Sequence, residues 1–196
     1  MTPSLNGRVD AVVIGASAGG VEALGQILPG LSQSLQVPIA IVLHLPPQRR
    51  SLLVDVFAPK CRCRVHEAQD KEPLQAGTVY FAPPDYHLLI DQGPQLALSA
   101  DPEVNFSRPS IDVLFESAAD IFQDRVAAVV LSGANHDGAQ GVRAIQSSGG
   151  IVIVQQPDTA MARAMVDAAL AAVRPDWVMT LTEIAAMLRT LDGAPA

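Results

Sequence analysis

The sequence predicts an α/β fold: a doubly wound, mostly parallel sheet with helices on both faces and an antiparallel hairpin excursion over about residues 78–98. Three observations lead there. Short aliphatic runs alternate with helical periodicities over most of the chain. Hydrophobic residues make up 49% of the sequence but aromatics only 4%, so Val, Ile, Leu and Ala must build the core. Finally, no long linker, internal repeat or low-complexity tract divides the 196 residues, which read as a single domain, 1–196, with its core at about 10–191.

The first strand is expected over Ala11 to Ile14, a short β-branched run bounded by glycines. A sharp turn through Gly15-Ala16-Ser17-Ala18-Gly19-Gly20 leads into a helix whose Val21, Leu24, Ile27 and Leu28 share one face. Further strands are expected at Pro38 to Leu43, Val126 to Leu131, Ile151 to Val154 and Trp177 to Met179. Helical patterns fall near Ser51 to Phe57, Ser110 to Phe122, Ala139 to Ser147, Ala160 to Val173 and Glu183 to Leu191. Pro109 suits a first helical position, and Thr180-Leu181-Thr182-Glu183 matches a capping box.

The middle departs from this rhythm. Thr78 to Ala82, His87 to Ile90 and Gln95 to Leu98 read as three short strands, parted by Pro83-Pro84-Asp85 and Asp91-Gln92-Gly93-Pro94. Cys61 and Cys63 are one residue apart, too close for an unstrained disulfide and without zinc spacing, so they read as inward thiols of a half-buried strand ahead of His66. Residues 192–196 read as a frayed tail.

A formal charge of −7 and a pI near 4.9 argue against a nucleic-acid surface, which needs a basic field. The N-terminus lacks a basic stretch followed by an apolar one, and no apolar run approaches the roughly 18 residues of a membrane span. The expected setting is the cytoplasm, without membrane insertion.

The glycine-rich turn after the first strand admits three readings. It places Ser17 against the first amides of a helix, where an oxyanion is stabilised. It also resembles a pyrophosphate cradle, although Ser17 stands at the second fingerprint glycine and no acidic residue follows about 20 positions on. A plain structural turn is the third. In open parallel sheets ligands gather at the carboxyl ends of strands. Ser17 follows the first strand, His44 the second and Asp137 a later one, so a nucleophile, a base and an orienting carboxylate fall on one sheet edge. Each has a plainer role available: His44 as a backbone cap, Asp137 as a helix N-cap beside Gly138. His136 competes as the base, whereas His66 and His87 lie within expected strands and read as structural.

Five dispersed segments then carry a family likeness. Gly15-Ala16-Ser17-Ala18-Gly19-Gly20, His44-Leu45-Pro46, Tyr80-Phe81-Ala82-Pro83-Pro84, Arg108-Pro109-Ser110-Ile111-Asp112-Val113-Leu114-Phe115 and Ser132-Gly133-Ala134-Asn135-His136-Asp137-Gly138-Ala139 resemble the catalytic domain of the CheB family of chemotaxis protein-glutamate methylesterases. The likeness runs in order from about Asp10 to Leu188. It implies hydrolysis of glutamate γ-methyl esters on cytoplasmic chemoreceptor helices, often with glutamine deamidation, by Ser17, His44 and Asp137. With that mechanism, backbone amides at Ala18, at the helix start, and Ala134 are the expected oxyanion donors, and no metal or organic cofactor is required. Arg108, before a helix near the cleft, reads either as a contact for acidic groups on receptor helices or as an ordinary surface arginine.

Some positions depart from the family pattern. Ala18 replaces a common threonine, Ser132-Gly133-Ala134-Asn135 replaces Thr-Gly-Met-Gly, and Met165-Val166 replaces a Met-Pro pair. Members of the family under phospho-control carry an N-terminal receiver domain; this sequence opens almost at once on the first catalytic strand and resembles stand-alone forms. A non-catalytic interaction module that keeps the fold is the alternative reading.

Overall fold

The computed structural model describes residues 3–45 and 51–193; Pro46, which completes the family-like segment His44-Leu45-Pro46, lies outside them. Strand β1 (Ala11–Ala16) is followed by helix α1 (Gly20–Ile27), β2 (Ile39–Leu43), the short α2 (Leu53–Phe57), β3 (Arg64–Glu67) and β4 (Thr78–Phe81). The hairpin β5 (His87–Asp91) and β6 (Gln95–Ser99) comes next, then α3 (Ile111–Phe122), β7 (Val126–Val130), α4 (Ala139–Ser147), β8 (Ile151–Gln155), α5 (Ala164–Ala172), β9 (Trp177–Met179) and α6 (Leu181–Leu188).

Seven strands form one parallel sheet in the order β3-β4-β2-β1-β7-β8-β9. The chain builds outward from β1 on one side, then returns to lay β7 on its other side. Strand order therefore reverses at β1, which is where such sheets open a crevice. Period-two alternation sends Val12, Ile14 and Ala16 to one face, among Leu24, Ile27, Ile184 and Leu188 of α1 and α6. Ala11 and Val13 go to the other, among Leu114, Phe115, Val142 and Val166 of α3, α4 and α5. β1, β2, β7 and β8 are buried along their whole length, which is why they read as continuous aliphatic runs. Each fully buried Val, Leu or Ile contributes about 1.5–3 kcal/mol, so the stability rests on this aliphatic centre.

Several expectations need correcting. Residues 78–81 belong to the main sheet, paired in parallel with β2 and β3, so the antiparallel excursion narrows to the β5–β6 hairpin. A short apolar run has the same appearance in either setting; only its partner decides. Strand β3 begins at Arg64, after both cysteines; Cys63 is buried in the core and Cys61 half-buried against it. Pro109 lies one residue before the N-cap Ser110, and α5 starts at Ala164, later than the apolar pattern from Ala160 indicates. The Thr180–Glu183 capping box forms as expected. Asp192 and Gly193 are tied down, the latter donating its N–H to Ser34 O at 2.8 Å, so only 194–196 of the expected tail lie outside the description.

Candidate active site

Register alone brings two of the three expected residues together. Ala16 of β1 pairs with Leu43 of β2, and His44 N–H donates to Ala16 O at 3.1 Å, so Ser17 and His44 leave adjacent strands side by side. Ser17 N–H donates to Ser132 O at 2.9 Å, joining the loop after β7 to the same edge. Gly19, the N-cap of α1, has φ +79°, and a side chain there would strike Met161 and the Ser132 hydroxyl. The tight glycine turn is thus required for Ser17 to sit at the head of α1.

Asp137 is nearly inaccessible and does not cap the helix it precedes. Its carboxylate turns to the N-terminus of α3 instead. Oδ2 accepts Ile111 N–H at 2.6 Å, and Oδ1 accepts Asp112 N–H at 3.2 Å and the Ser110 hydroxyl at 2.9 Å. Oδ1 also receives Asn105 Nδ2 at 2.8 Å and the adjacent Gly138 N–H at 3.1 Å. Gly15 permits this arrangement: a β-carbon there would overlap Ile111, holding α3 off the strand. Burial by itself would raise the Asp137 pKa, but hydrogen bonds from His44, Ile111 and Asn105 outweigh it and hold the group below the ordinary carboxylate range. The positive end of the α3 dipole acts in the same direction.

His44 reaches this carboxylate: Nε2 lies 2.9 Å from Asp137 Oδ2. Its other nitrogen, Nδ1, lies 3.2 Å from Asn135 Nδ2. Asn135 Oδ1 accepts the Asp137 N–H at 3.2 Å, which turns the NH₂ of this amide toward the ring. An NH₂ group only donates, so Nδ1 is the acceptor and Nε2 carries the proton given to Asp137. In this tautomer Nδ1 is the basic nitrogen. Among the described residues Ser17 Oγ has no hydrogen-bond partner, and Ser17 is half-buried.

The remaining expected residues fall as follows. His136 is exposed and outside the network, whereas His44 is the imidazole that meets Asp137. His87 is buried, and its Nδ1 accepts the Ser110 N–H at 3.2 Å, steadying the cap beneath Asp137; His66 pairs with Glu72 at 3.0 Å. Ala18 and Ala134 are both exposed at the carboxyl edge, and among the described residues neither backbone N–H has an acceptor. The Ser132 hydroxyl donates to Ala18 O at 2.7 Å and accepts the Ala162 N–H at 2.9 Å, so it fixes the peptide after Ala18. Met165, buried, anchors the same region by donating its N–H to Gly133 O at 3.0 Å.

Arg108 binds the loop before α3, its Nη1 donating to Ala100 O and Asp101 O at 3.1 and 3.0 Å. Its Nε is buried and, among the described residues, without a partner. Arg108 and His44 line one recess, together with Leu43, Ala82, Pro84 and Phe106; Ser17 is outside those walls. Sequence reasoning missed Asn105 as a partner of Asp137 and Asn135 as a partner of His44. The only available signal for Asn135 was the replacement of a family glycine by an amide.

A serine, an imidazole and a buried carboxylate at the reversal point of a parallel sheet define a hydrolase-type site on an α/β scaffold. Residues 12–188 match the model of the CheB methylesterase family, and the chain belongs to that family and is a hydrolase. It is 43% identical over 183 residues to a "Putative protein-glutamate methylesterase/protein-glutamine glutaminase" of Leptospira interrogans, covering 93% of this chain and 95% of that one. A "Protein-glutamate methylesterase/protein-glutamine glutaminase 2" of Caulobacter vibrioides is 37% identical over 91% of this chain, which spans 52% of the Caulobacter protein. Among solved structures, the catalytic domain of the CheB methylesterase of Thermotoga maritima superposes with a TM-score of 0.89 at 31% identity, over 93% of this chain and 98% of the other. Among the described residues, no helix is long and apolar enough to cross a membrane.

Proposed function

We propose that the protein hydrolyses glutamate γ-methyl esters on the cytoplasmic helices of chemoreceptors, releasing methanol, and that it also deamidates glutamine in the same positions. The observation that carries this reading is the His44 tautomer: Nε2–H is held by Asp137, which makes Nδ1 the acceptor nitrogen on a residue that leaves its strand alongside Ser17. Ser17 Oγ attacks the ester carbonyl as Nδ1 takes its proton, and the imidazolium formed is stabilised by the Asp137 carboxylate. Protonation makes Nδ1 a donor, so the Asn135 NH₂ must swing aside in this step. The tetrahedral oxyanion is met by the N–H groups of Ala18 and Ala134, whose freedom from internal acceptors supports the role; one such donor contributes about 3–4 kcal/mol to the transition state.

His44 then passes its proton to the leaving methanol, and water repeats the sequence on the acyl-serine. The unpartnered Nε–H of Arg108 supports a contact with the substrate carbonyls or carboxylates that enter the recess. No cofactor or metal takes part in this scheme, and the work is done in the cytoplasm without nucleic acid or membrane insertion. The test is methanol release from a methylated receptor fragment by the parent protein and by Ser17→Ala. A fall of at least about a thousandfold supports the reading, and undiminished release defeats it.

A further inference from the structure

Phe106 breaks two rules of folding together. Val104 and Ser107 exchange both backbone hydrogen bonds, at 3.2 and 3.0 Å, which makes Asn105 and Phe106 the loop of a two-residue hairpin. Their φ angles are +54° and +59°. A hairpin turn with two positive φ values is best made by Asn followed by Gly, and Asn105 fits its position. Phe106 does not, because a bulky side chain in the left-handed region is strained. Nor does burial offset the strain, since Phe106 is 94% exposed, the most of any large hydrophobic residue described.

The turn that carries Phe106 is nevertheless anchored. Asn105 Nδ2 donates to Asp112 Oδ2 at 2.7 Å and to Asp137 Oδ1 at 2.8 Å, so the turn is fixed to the carboxylate that holds His44. Phe106 stands on the rim of the recess that His44 lines, beside Pro84, Pro109 and Arg108. A small ester entering that recess lies inward of a ring that faces solvent. Only a substrate extending past the rim meets it, which means a polypeptide. A strained, unburied aromatic on a turn anchored to Asp137 is a feature folding does not require and substrate recognition can use.

We infer that Phe106 is a specificity residue, packing against apolar side chains that flank the esterified glutamate on a polypeptide substrate. The inference rests on the methylesterase reading and names what that site selects. Its test compares the parent, Phe106→Gly and Phe106→Tyr by kcat/KM on a methylated receptor fragment and on a small water-soluble ester, alongside thermal unfolding. For Phe106→Gly, the ratio of the two kcat/KM values (receptor over small ester) falls roughly five- to twentyfold, through KM on the receptor. The melting temperature rises by about 2–4 °C as strain is relieved, and Phe106→Tyr keeps the parental ratio. An unchanged ratio in Phe106→Gly, or equal losses on both substrates, overturns the inference and leaves the methylesterase reading intact. A parent protein that releases no methanol from the receptor defeats that reading, and the inference falls with it.

Discussion

His44 meets Asp137 through Nε2, at 2.9 Å, and so turns Nδ1 toward the Asn135 amide, at 3.2 Å. The carboxylate in this pair is an acceptor for the start of α3 as well as for the ring. Its orientation is thereby set by a helix end whether or not the imidazole is in place. The ring is the adjustable partner, held at Nδ1 by one neutral amide that can leave.

Asp137→Asn tests the carboxylate. The amide keeps the shape but presents an NH₂ where Ile111 N–H or His44 Nε2–H needs an acceptor. Turnover is expected to fall by about 10⁴-fold. Stability should drop by about 3–5 kcal/mol, because buried donors lose their anion. Steady-state kinetics and denaturant titration on the same preparations measure both.

Asn135→Gly restores the residue common in the family and removes both the donor to Nδ1 and the acceptor for Asp137 N–H. One hydrogen bond of this kind is worth about 1 kcal/mol, and because the amide must leave Nδ1 as the proton moves, its loss should raise kcat about fivefold with KM unchanged. Asn135→Asp puts a second carboxylate, with no proton to donate, where the amide donates to Nδ1, and a loss in kcat is expected.

Asn105 joins two buried carboxylates, and Asn105→Ala removes a donor from each. A loss of about 1–3 kcal/mol in unfolding free energy is expected from denaturant titration.

Asp112 gives the pH prediction. Burial raises its pKa and the nearby Asp137 charge raises it further, against the opposing hydrogen bond from Gly141. In the native protein it therefore holds its proton to higher pH than in the unfolded chain. Between the two pKa values the folded state binds more protons, so the Asp112 contribution to stability declines as pH rises from about 4 through that window. Asp137, with its lowered pKa, acts oppositely: its contribution is present above about pH 4 and is lost as pH falls through the native value. Asp112→Asn should remove the decline on the alkaline side while leaving the acid-side loss. Unfolding free energies measured from pH 3 to 8 would show both slopes.

The parts of the fold legible in the sequence were those governed by periodicity and local capping. Buried strands β1, β2, β7 and β8 appear as aliphatic runs, and the Thr180–Glu183 box marks α6 because both partners lie within one turn. Strand ends also located Ser17, His44 and Asp137, since the carboxyl edge of a parallel sheet is where its loops converge. Pairing was not legible in the same way. The run at 78–81 looks like a hairpin strand and joins the parallel sheet, because its partners lie 14 and 40 positions earlier in the chain and pair through crossovers. The same limit hid Asn105 and Asn135: an amide in a loop has no pattern, and its partner is settled only when β2, α3 and the β7–α4 loop meet. Asp137 showed the effect most clearly. Beside Gly138 it looks like the cap of α4, but the N-terminus it satisfies is that of α3.

The central claim is that the imidazole activates the hydroxyl, and a serine-reactive phosphonate tests it most directly. Labelling followed by peptide mass mapping should place the adduct on Ser17 in the parent and slow it by at least about a hundredfold in His44→Ala. Equal labelling rates in the two proteins, or an adduct on another residue, would contradict the account.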